Sequence, residues 1–416
     1  MDRITVHRSG PLGGTVTVPG AKNSVLKLMV SSLYASGEHR LTNVPAISDV
    51  EAMADLLGSL GVRVSSSTPG ELALVNDGSI TTSAPSERVG SIRASINLLG
   101  PLLACRGRVR LDMPGGDDFG SRPIDMHVAG LTAMGARFVF EGDRIEAEAD
   151  RLRGADVSLD FPSVGATENV LCAAVHAEGT TTIRNAAREP EIADLCEQLC
   201  AMGARIDGIG SSVLVIEGVE RESLRPVTHA VVNDRIQAAT YMAAAAVVGG
   251  EVFVKGALAE HMQMFLRKLS DMGADVTPSA DGVTVAVGGR LRSVDVQTLP
   301  YPGVATDYKP LLVTMMAVAE GMGVMTENLY PGRFRYVEEL SKLGADIRTD
   351  GHHAVVHGVD HLRGAAVVAP DIRAGAALVV AGLAAEGRTV ISGLEHVERG
   401  YDDLVGRLVG LGARIE

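Results

Sequence analysis

Two kinds of apolar periodicity alternate along the chain, and both recur. In the first, half-polar stretches with apolar residues at helical spacing stop at a glycine and run into β-branched residues: "LLGSLGVRV", "GLTAMGARF", "QLCAMGARI", "KLSDMGADV", "LSKLGADI" and "RLVGLGARI". Their central glycines are Gly61, Gly135, Gly203, Gly273, Gly344 and Gly412, at successive spacings of 74, 68, 70, 71 and 68 residues. Glycine tolerates the left-handed conformation that ends many helices, so each match predicts an amphipathic helix, a sharp stop and a strand.

The second pattern repeats at the same period: "KNSVLKLMVSSLYASG", "RASINLLGPLLACRG", "ATENVLCAAVHAEG", "DRIQAATYMAAAAVVGG", "TDYKPLLVTMMAVAEG" and "DIRAGAALVVAGLAAEG". These runs are apolar around nearly their whole circumference, which predicts buried helices. One period reads strand, buried helix, strand, exposed helix, strand, over roughly 70 residues. Apolar helices need cover on every side, so the sheets belong outside them. The expected architecture is a two-domain inside-out α/β barrel of six βαβαβ-type repeats, with buried helices and outer sheets. At 416 residues the chain exceeds what one core usually supports. The expected boundaries are 22–231 for the first domain, and 1–21 with 232–416 for the second, three repeats in each.

Composition narrows the function classes. Aromatic residues are 3% of the chain, so small side chains must do much of the packing. A net charge of −13 with no basic stripe argues against nucleic acid or an anionic membrane as partner. The N-terminus "MDRITVHRSG" has no apolar signal region, and no apolar run reaches about 18 residues, so a cytoplasmic protein is expected. Cys105, Cys172, Cys196 and Cys200 sit in apolar helical patterns without CxxC spacing and read as buried reduced thiols. His352, His353 and His357 in "DGHHAVVHG" lack an acidic partner and read as ordinary strand residues; "GIGSS" (208–212) reads as a hairpin loop.

Polar residues open the buried helices. Lys22 and Asn23 begin the first, Arg93 enters the second, and Thr167 and Glu168 open the third. Asp234 and Arg235, Thr306 and Asp307, and Asp371 and Arg373 open the remaining three. Thr306, Asp234 and Asp371 are explained as N-caps, but a cation at the positive end of a helix is disfavoured by about 0.3–1 kcal/mol. In a pseudosymmetric arrangement these starts would line an anion-binding cleft between domains, suited to a phosphate-bearing small molecule.

With the repeat and the helix starts in hand, the chain resembles the enolpyruvyl transferase family over essentially its whole length. The resemblance is carried by "GAKNSVLKL", "RASINLLGPLLA", "PGGDDFGSRPIDMH", "FPSVGATENVL", "NAAREPEI", "TDYK", "GRFRYVEEL", "DIRAGAALVVAG" and "RGYDDL". "GAKN" with "RPIDMH" favours the sugar-nucleotide branch over the shikimate-pathway relatives. The resemblance implies transfer of the enolpyruvyl group of phosphoenolpyruvate to the 3-hydroxyl of UDP-N-acetylglucosamine, a peptidoglycan precursor step, through a tetrahedral ketal with loss of phosphate. No cofactor and no metal are implied. Such chemistry needs cations for phosphate and carboxylate, a base for the hydroxyl and an acid for the methylene carbon.

By resemblance, Lys22, Arg93, Arg122, Arg333, Arg373 and Arg399 serve the anionic groups, with Lys22 and Arg399 counted as catalytic, and Asp307 is the base. Asn23, Arg122, Pro123, Ile124, Asp125 and the Ser163-Val164-Gly165 turn match positions that hold the UDP-sugar, with Asp371 and His127 assisting. Cations brought together from two domains imply a closing motion on ligand binding. In most family members the position of Asp117 is a cysteine, which protonates the carbon and is alkylated by fosfomycin. Asp117 can supply that proton if Asp118 beside it raises its pKa, and it leaves no thiolate for the epoxide. Glycines 115, 116 and 120 fit a lid over 113–122.

A second departure lies before Arg333, where Pro331 and Gly332 replace an implied acidic and a small polar residue, removing a carboxylate and stiffening the approach. Tyr308-Lys309 after Asp307 also differs from the usual pattern. These changes leave open another uridine nucleotide as acceptor, as in nucleoside-antibiotic biosynthesis. A non-catalytic binding paralogue is the remaining alternative, against which retention of Lys22, Asp117, Asp307 and Arg399 speaks.

Overall fold

The structure, a computed structural model, describes residues 3–115 and 123–416. The chain divides into two compact units, one of residues up to Pro19 with Asn233–Glu416, the other running from Gly20 to Val232. Each has its own hydrophobic core.

In the Gly20–Val232 unit the buried helices are Lys22–Val30, Leu99–Arg106 and Val164–Ala174. The Leu99–Arg106 helix packs against Val164–Ala174, and both touch the 3-10 turn Arg93–Leu98, which also meets Lys22–Val30. Close approach has a residue-level cause: a Cβ at Gly100 would lie 2.2 Å from the Asn169 carbonyl oxygen. Around the helices stand sheets formed by Gly37–Thr42, Val62–Ser65, Leu72–Asn76 and Thr228–Ala230, by Arg108–Asp112, Arg137–Glu141 and Arg144–Glu148, and by Asp156–Ser158, Thr180–Arg184, Arg205–Asp207 and Val213–Glu217. The three-stranded sheet gains a single parallel bridge, Ser83 to Arg110, where the others have a fourth strand.

The other unit repeats the plan. Helices Arg235–Val248, Lys309–Val318 and Ile372–Ala384 pack on one another. Two of its three sheets are completed by the N-terminal segment: Arg3–His7 lies antiparallel to Arg388–Ser392, and Leu12–Thr17 lies parallel to Gly250–Lys255. The third is built from Val296–Gln297, Met322–Thr326, Asp346–Asp350 and His353–His357.

All six glycines of the first pattern have φ between 88° and 118°, the left-handed stop that the pattern predicts. One element exceeds the expectation. The first five periods end in a hairpin rather than a single strand, and in the sixth Arg414–Ile415 pairs with Arg3–His7 instead; Asp346–Asp350, for example, returns through Gly351 as His353–His357. The return strand was hidden because its apolar residues run without a helical stop into the loop before the next buried helix. "GIGSS" does join two antiparallel strands, Arg205–Asp207 and Val213–Glu217.

Three further expectations are corrected. The third buried helix starts at Val164, with Ser163 Oγ accepting from the Ala166 amide at 3.3 Å, so Thr167 and Glu168 lie inside it. Thr306 and Asp307 form a 3-10 turn preceded by Ala305 and make no side-chain cap, because the helix proper begins only at Lys309. Cys172 and Cys196 are buried, but Cys105 and Cys200 are only half-buried, lying near helix ends. Among the described residues no helix is long and apolar enough to cross a membrane.

Candidate active site

In the unit that contains Asp307, three helix starts come together. Asp234 and Asp371 cap their helices: Asp234 Oδ1 accepts from the Ile236 and Gln237 amides at 2.8 and 3.0 Å, and Asp371 Oδ1 accepts from the Arg373 and Ala374 amides at 2.9 Å each. Asp307 does a different job. Its Oδ1 accepts from Arg333 Nη1 at 2.9 Å and its Oδ2 from Arg373 Nε at 3.1 Å. Both arginine side chains are 4% exposed, whereas Asp307 is 22% exposed. The carboxylate is therefore the accessible face of a buried cationic pair.

Several contacts fix that pair. Burial works against the charge on Arg373, but Asp307, Tyr401 and Asp234 together outweigh it and hold its pKa above the usual value; burial of Arg333 is likewise outweighed by Asp307 and Asp371 together. Arg373 lies over the Tyr401 ring at 5.4 Å, and Tyr401 Oη shares a hydrogen bond of 2.9 Å with Thr240. Arg333 Nη1 also donates to Thr306 Oγ1 at 3.1 Å. Arg399 is half-buried at the end of helix Leu394–Glu398, beside Gly400, whose built Cβ would lie 3.9 Å from Arg373 Nη1. Pro331 and Gly332 are exposed on the approach to Arg333.

In the other unit Lys22 is the first residue of its helix, and its Nζ lies 3.1 Å from Asp49 Oδ2. Asn23 beside it is exposed, and Arg93 is half-buried at the start of its 3-10 turn. His127 is buried; its pKa is pushed down to about 4 by burial and then by Arg93, with Asp125 opposing. The imidazole is therefore neutral near pH 7. Asn169 Oδ1 accepts from the Gly100 amide at 2.7 Å, so Nδ2 is its donor end, and that nitrogen lies 2.9 Å from His127 Nδ1. His127 Nδ1 accepts, which leaves the proton on Nε2. Gly165 is glycine for a reason at this spot: a Cβ there would sit 2.9 Å from the His127 ring. Val164 and Ser163 are half-buried beside it, Ile124 is buried, and Pro123 and Asp125 are exposed where helix Asp125–Ala133 begins.

The structure thus brings Asp307, Arg333, Arg373 and Asp371 into one cluster, and Arg93, His127, Asp125 and Gly165 into another. Asp117, Asp118, Arg122 and most of the expected lid lie outside the described residues. His353 is exposed in a strand, with Nδ1 2.9 Å from Thr326 Oγ1. Among the described residues no three His, Cys, Asp or Glu side chains gather as a metal site would require.

Sequence reasoning missed Asp49, Asn169, Tyr401 and Glu327 as parts of these clusters, and it marked Lys309 only as a departure after Asp307. Asn169 and Tyr401 fall inside strings that carry the family resemblance, and Asp49 reads as an ordinary first-turn acid. Nothing local marks Glu327.

Residues 6–408 match the sequence profile of EPSP synthase (3-phosphoshikimate 1-carboxyvinyltransferase). The chain belongs to this family. The family member named UDP-N-acetylglucosamine 1-carboxyvinyltransferase from Corynebacterium jeikeium is 48% identical over 416 residues, covering all of this chain and 99% of that one. Its namesake from Nocardia farcinica is 49% identical over 423 residues, covering all of this chain and 98% of its own. Among solved structures, the enolpyruvyl transferase NikO from Streptomyces tendae superposes with a TM-score of 0.90 at 27% identity, over all of this chain and 98% of that one. EPSP synthase from Acinetobacter baumannii, at 21% identity and a TM-score of 0.78, shares the fold over all of this chain and 99% of its own. The family's enolpyruvyl transfer is the chemistry against which both clusters are read.

Proposed function

We propose that the chain is a UDP-N-acetylglucosamine 1-carboxyvinyltransferase, moving the enolpyruvyl group of phosphoenolpyruvate onto the sugar 3-hydroxyl with release of phosphate. The observation that carries this reading is full-length identity of 48% to proteins of that name. In this scheme Arg333, Arg373 and Arg399, with Lys22, Arg93 and Arg122, neutralise the phosphate and carboxylate. Asp307 removes the hydroxyl proton and Asp117 delivers a proton to the methylene carbon. Asn23, Pro123, Ile124, Asp125, His127, Ser163, Val164, Gly165 and Asp371 serve the sugar nucleotide or support the reacting phosphate.

The pairing at Asp307 supports a specific order of events. A carboxylate held by two guanidinium groups is a weak base. A bound phosphoenolpyruvate, carrying both a carboxylate and a phosphate, competes for those same groups, and each Asp307 oxygen it releases becomes able to accept the hydroxyl proton. His127, neutral with its proton on Nε2, can donate to an oxygen while its Nδ1 is held by Asn169.

The test is a phosphate-release assay with phosphoenolpyruvate and UDP-N-acetylglucosamine on wild type and on Asp117→Asn. Release by the wild type and its loss in the variant are expected. No release with this acceptor, but release with another uridine nucleotide, would move the assignment to the acceptor alternative that Pro331 and Gly332 favour.

A further inference from the structure

We propose that Lys309 and Glu327 form a buried positioning pair that sets Arg333, and through it Asp307, for the transfer. The inference rests on the enolpyruvyl-transfer reading and names residues to which that reading gives no role.

Neither side chain of the pair is exposed at all, and Lys309 Nζ lies 2.9 Å from a Glu327 carboxylate oxygen. Burying two charges is expensive, and a well-packed hydrophobic pair is usually at least as stabilising, so stability alone is a poor reason for such a pair. Its hydrogen bonds supply a better one. Glu327 Oε1 accepts from Thr298 Oγ1 at 2.6 Å and from the Leu329 and Tyr330 amides at 2.8 and 3.1 Å. Its Oε2 accepts from Thr306 Oγ1 at 2.8 Å. Lys309 Nζ donates to the Arg333 carbonyl oxygen and lies 4.0 Å from the centroid of the Phe334 ring.

Two routes therefore reach Arg333. Through the main chain, Glu327 ties down the start of the loop at Leu329 and Tyr330, and Lys309 ties down its end at the Arg333 carbonyl. Through side chains, the Thr306 hydroxyl donates its hydrogen bond to Glu327, which leaves an oxygen lone pair to accept from Arg333 Nη1 at 3.1 Å. Between the two anchors lie Pro331 and Gly332, both exposed. The pair thus holds the backbone and the guanidinium of Arg333 at once, and Arg333 holds Asp307. Burial pushes the Lys309 pKa down to about 8 against the pull of Glu327, and Arg333 and Asp371 also act on the amine. The pair is a positioning device, since neither member reaches the accessible face of Asp307.

The experiment compares Lys309→Met, Glu327→Leu, the double variant and Thr306→Val with wild type, by thermal unfolding, phosphate release and calorimetric binding of UDP-N-acetylglucosamine. The single charge removals should lower the Tm. The double variant should return the Tm to within about 5 °C of wild type while kcat stays roughly tenfold or more below it. Thr306→Val, which cuts only the side-chain route, should lower kcat by about threefold or more with an unchanged Tm and UDP-sugar affinity. A double variant that recovers both Tm and kcat overturns the proposal. If the double variant does not fold, unchanged kcat in Thr306→Val overturns it. Wild-type protein that releases no phosphate with any acceptor defeats the functional reading instead. In that event calorimetric affinity for phosphoenolpyruvate decides the pair, with weaker binding by Thr306→Val expected and equal binding overturning it.

Discussion

The two units share one plan of three helices walled by three sheets, yet they handle buried charge differently. In the Asp307 unit the buried ions lie at two helix starts and in the loop after strand Met322–Thr326, and they join one network, running from Glu327 and Lys309 through Thr306 and Arg333 to Asp307 and Arg373. In the other unit the buried pair Lys27–Glu168, at 3.0 Å, lies within the helices rather than at their first residues, and Glu168 Oε1 has no hydrogen-bond partner among the described residues. Its helix-start groups are a paired lysine, a half-buried arginine and a neutral histidine. On the proposed function the same repeat serves two uses: one copy set would position ionised groups for proton transfer, and the other would offer a neutral donor and a few cations to the substrates.

The largest effect expected from this contrast is at Asp307. Asp307→Asn keeps the shape but not the basic oxygen, and should lower kcat in the phosphate-release assay by roughly 10²–10⁴-fold while UDP-N-acetylglucosamine still binds in calorimetry. Retained activity would remove the proton-transfer half of the comparison.

Next in size is the core pair of the other unit. Lys27→Met leaves Glu168 buried and unpaired and should cost about 3–5 kcal/mol in urea unfolding, whereas Lys27→Met with Glu168→Leu should restore most of that stability. Unlike the Lys309–Glu327 double variant, this one should keep kcat within about twofold of wild type, because it touches no proposed substrate group. A large loss of kcat here would erase the distinction between the two buried pairs.

A smaller effect follows from His127. Its folded pKa, about 4, is below its unfolded value, so between these values the unfolded chain binds more protons and stability falls as pH is lowered. From pH 7 to 5 the loss should be on the order of 2 kcal/mol, and His127→Gln should remove it when the two proteins are compared by urea unfolding at both pH values. Parallel pH curves for the two would mean that the histidine is not held neutral.

The last prediction is a null change. Burial pushes the thiols of Cys105 and Cys196 up to about 12 and raises those of Cys172 and Cys200, so none of the four is a ready thiolate. With Asp117 at the position where the family resemblance implies a cysteine, fosfomycin should add no mass to the purified protein and should leave phosphate release unaffected.

The sixfold repeat, the left-handed glycine stops and the burial of the apolar helices were legible from the chain, since each depends on residues within one or two turns of one another. Asp234 and Asp371 as caps were legible for the same reason. Thr306 and Asp307 misled because a 3-10 turn and a helix start share a local signature, and only the onset of α-helical hydrogen bonding at Lys309 separates them. The return strands escaped because a hairpin partner carries no helical stop of its own.

What the sequence determined by itself is therefore the sixfold period, the order of its buried and exposed helices and the residue types available at each helix start. Tertiary structure alone decided which of those residues share a charge. Arg333 and Arg373 lie 26 and 66 positions from Asp307, and Glu327 lies 18 positions beyond Lys309. No local propensity carries information over such separations. These pairs exist because the fold brings the helix starts at Asp307, Lys309 and Arg373 and the loop from Glu327 to Arg333 within hydrogen-bonding distance, where an unpaired buried charge would be too costly to persist.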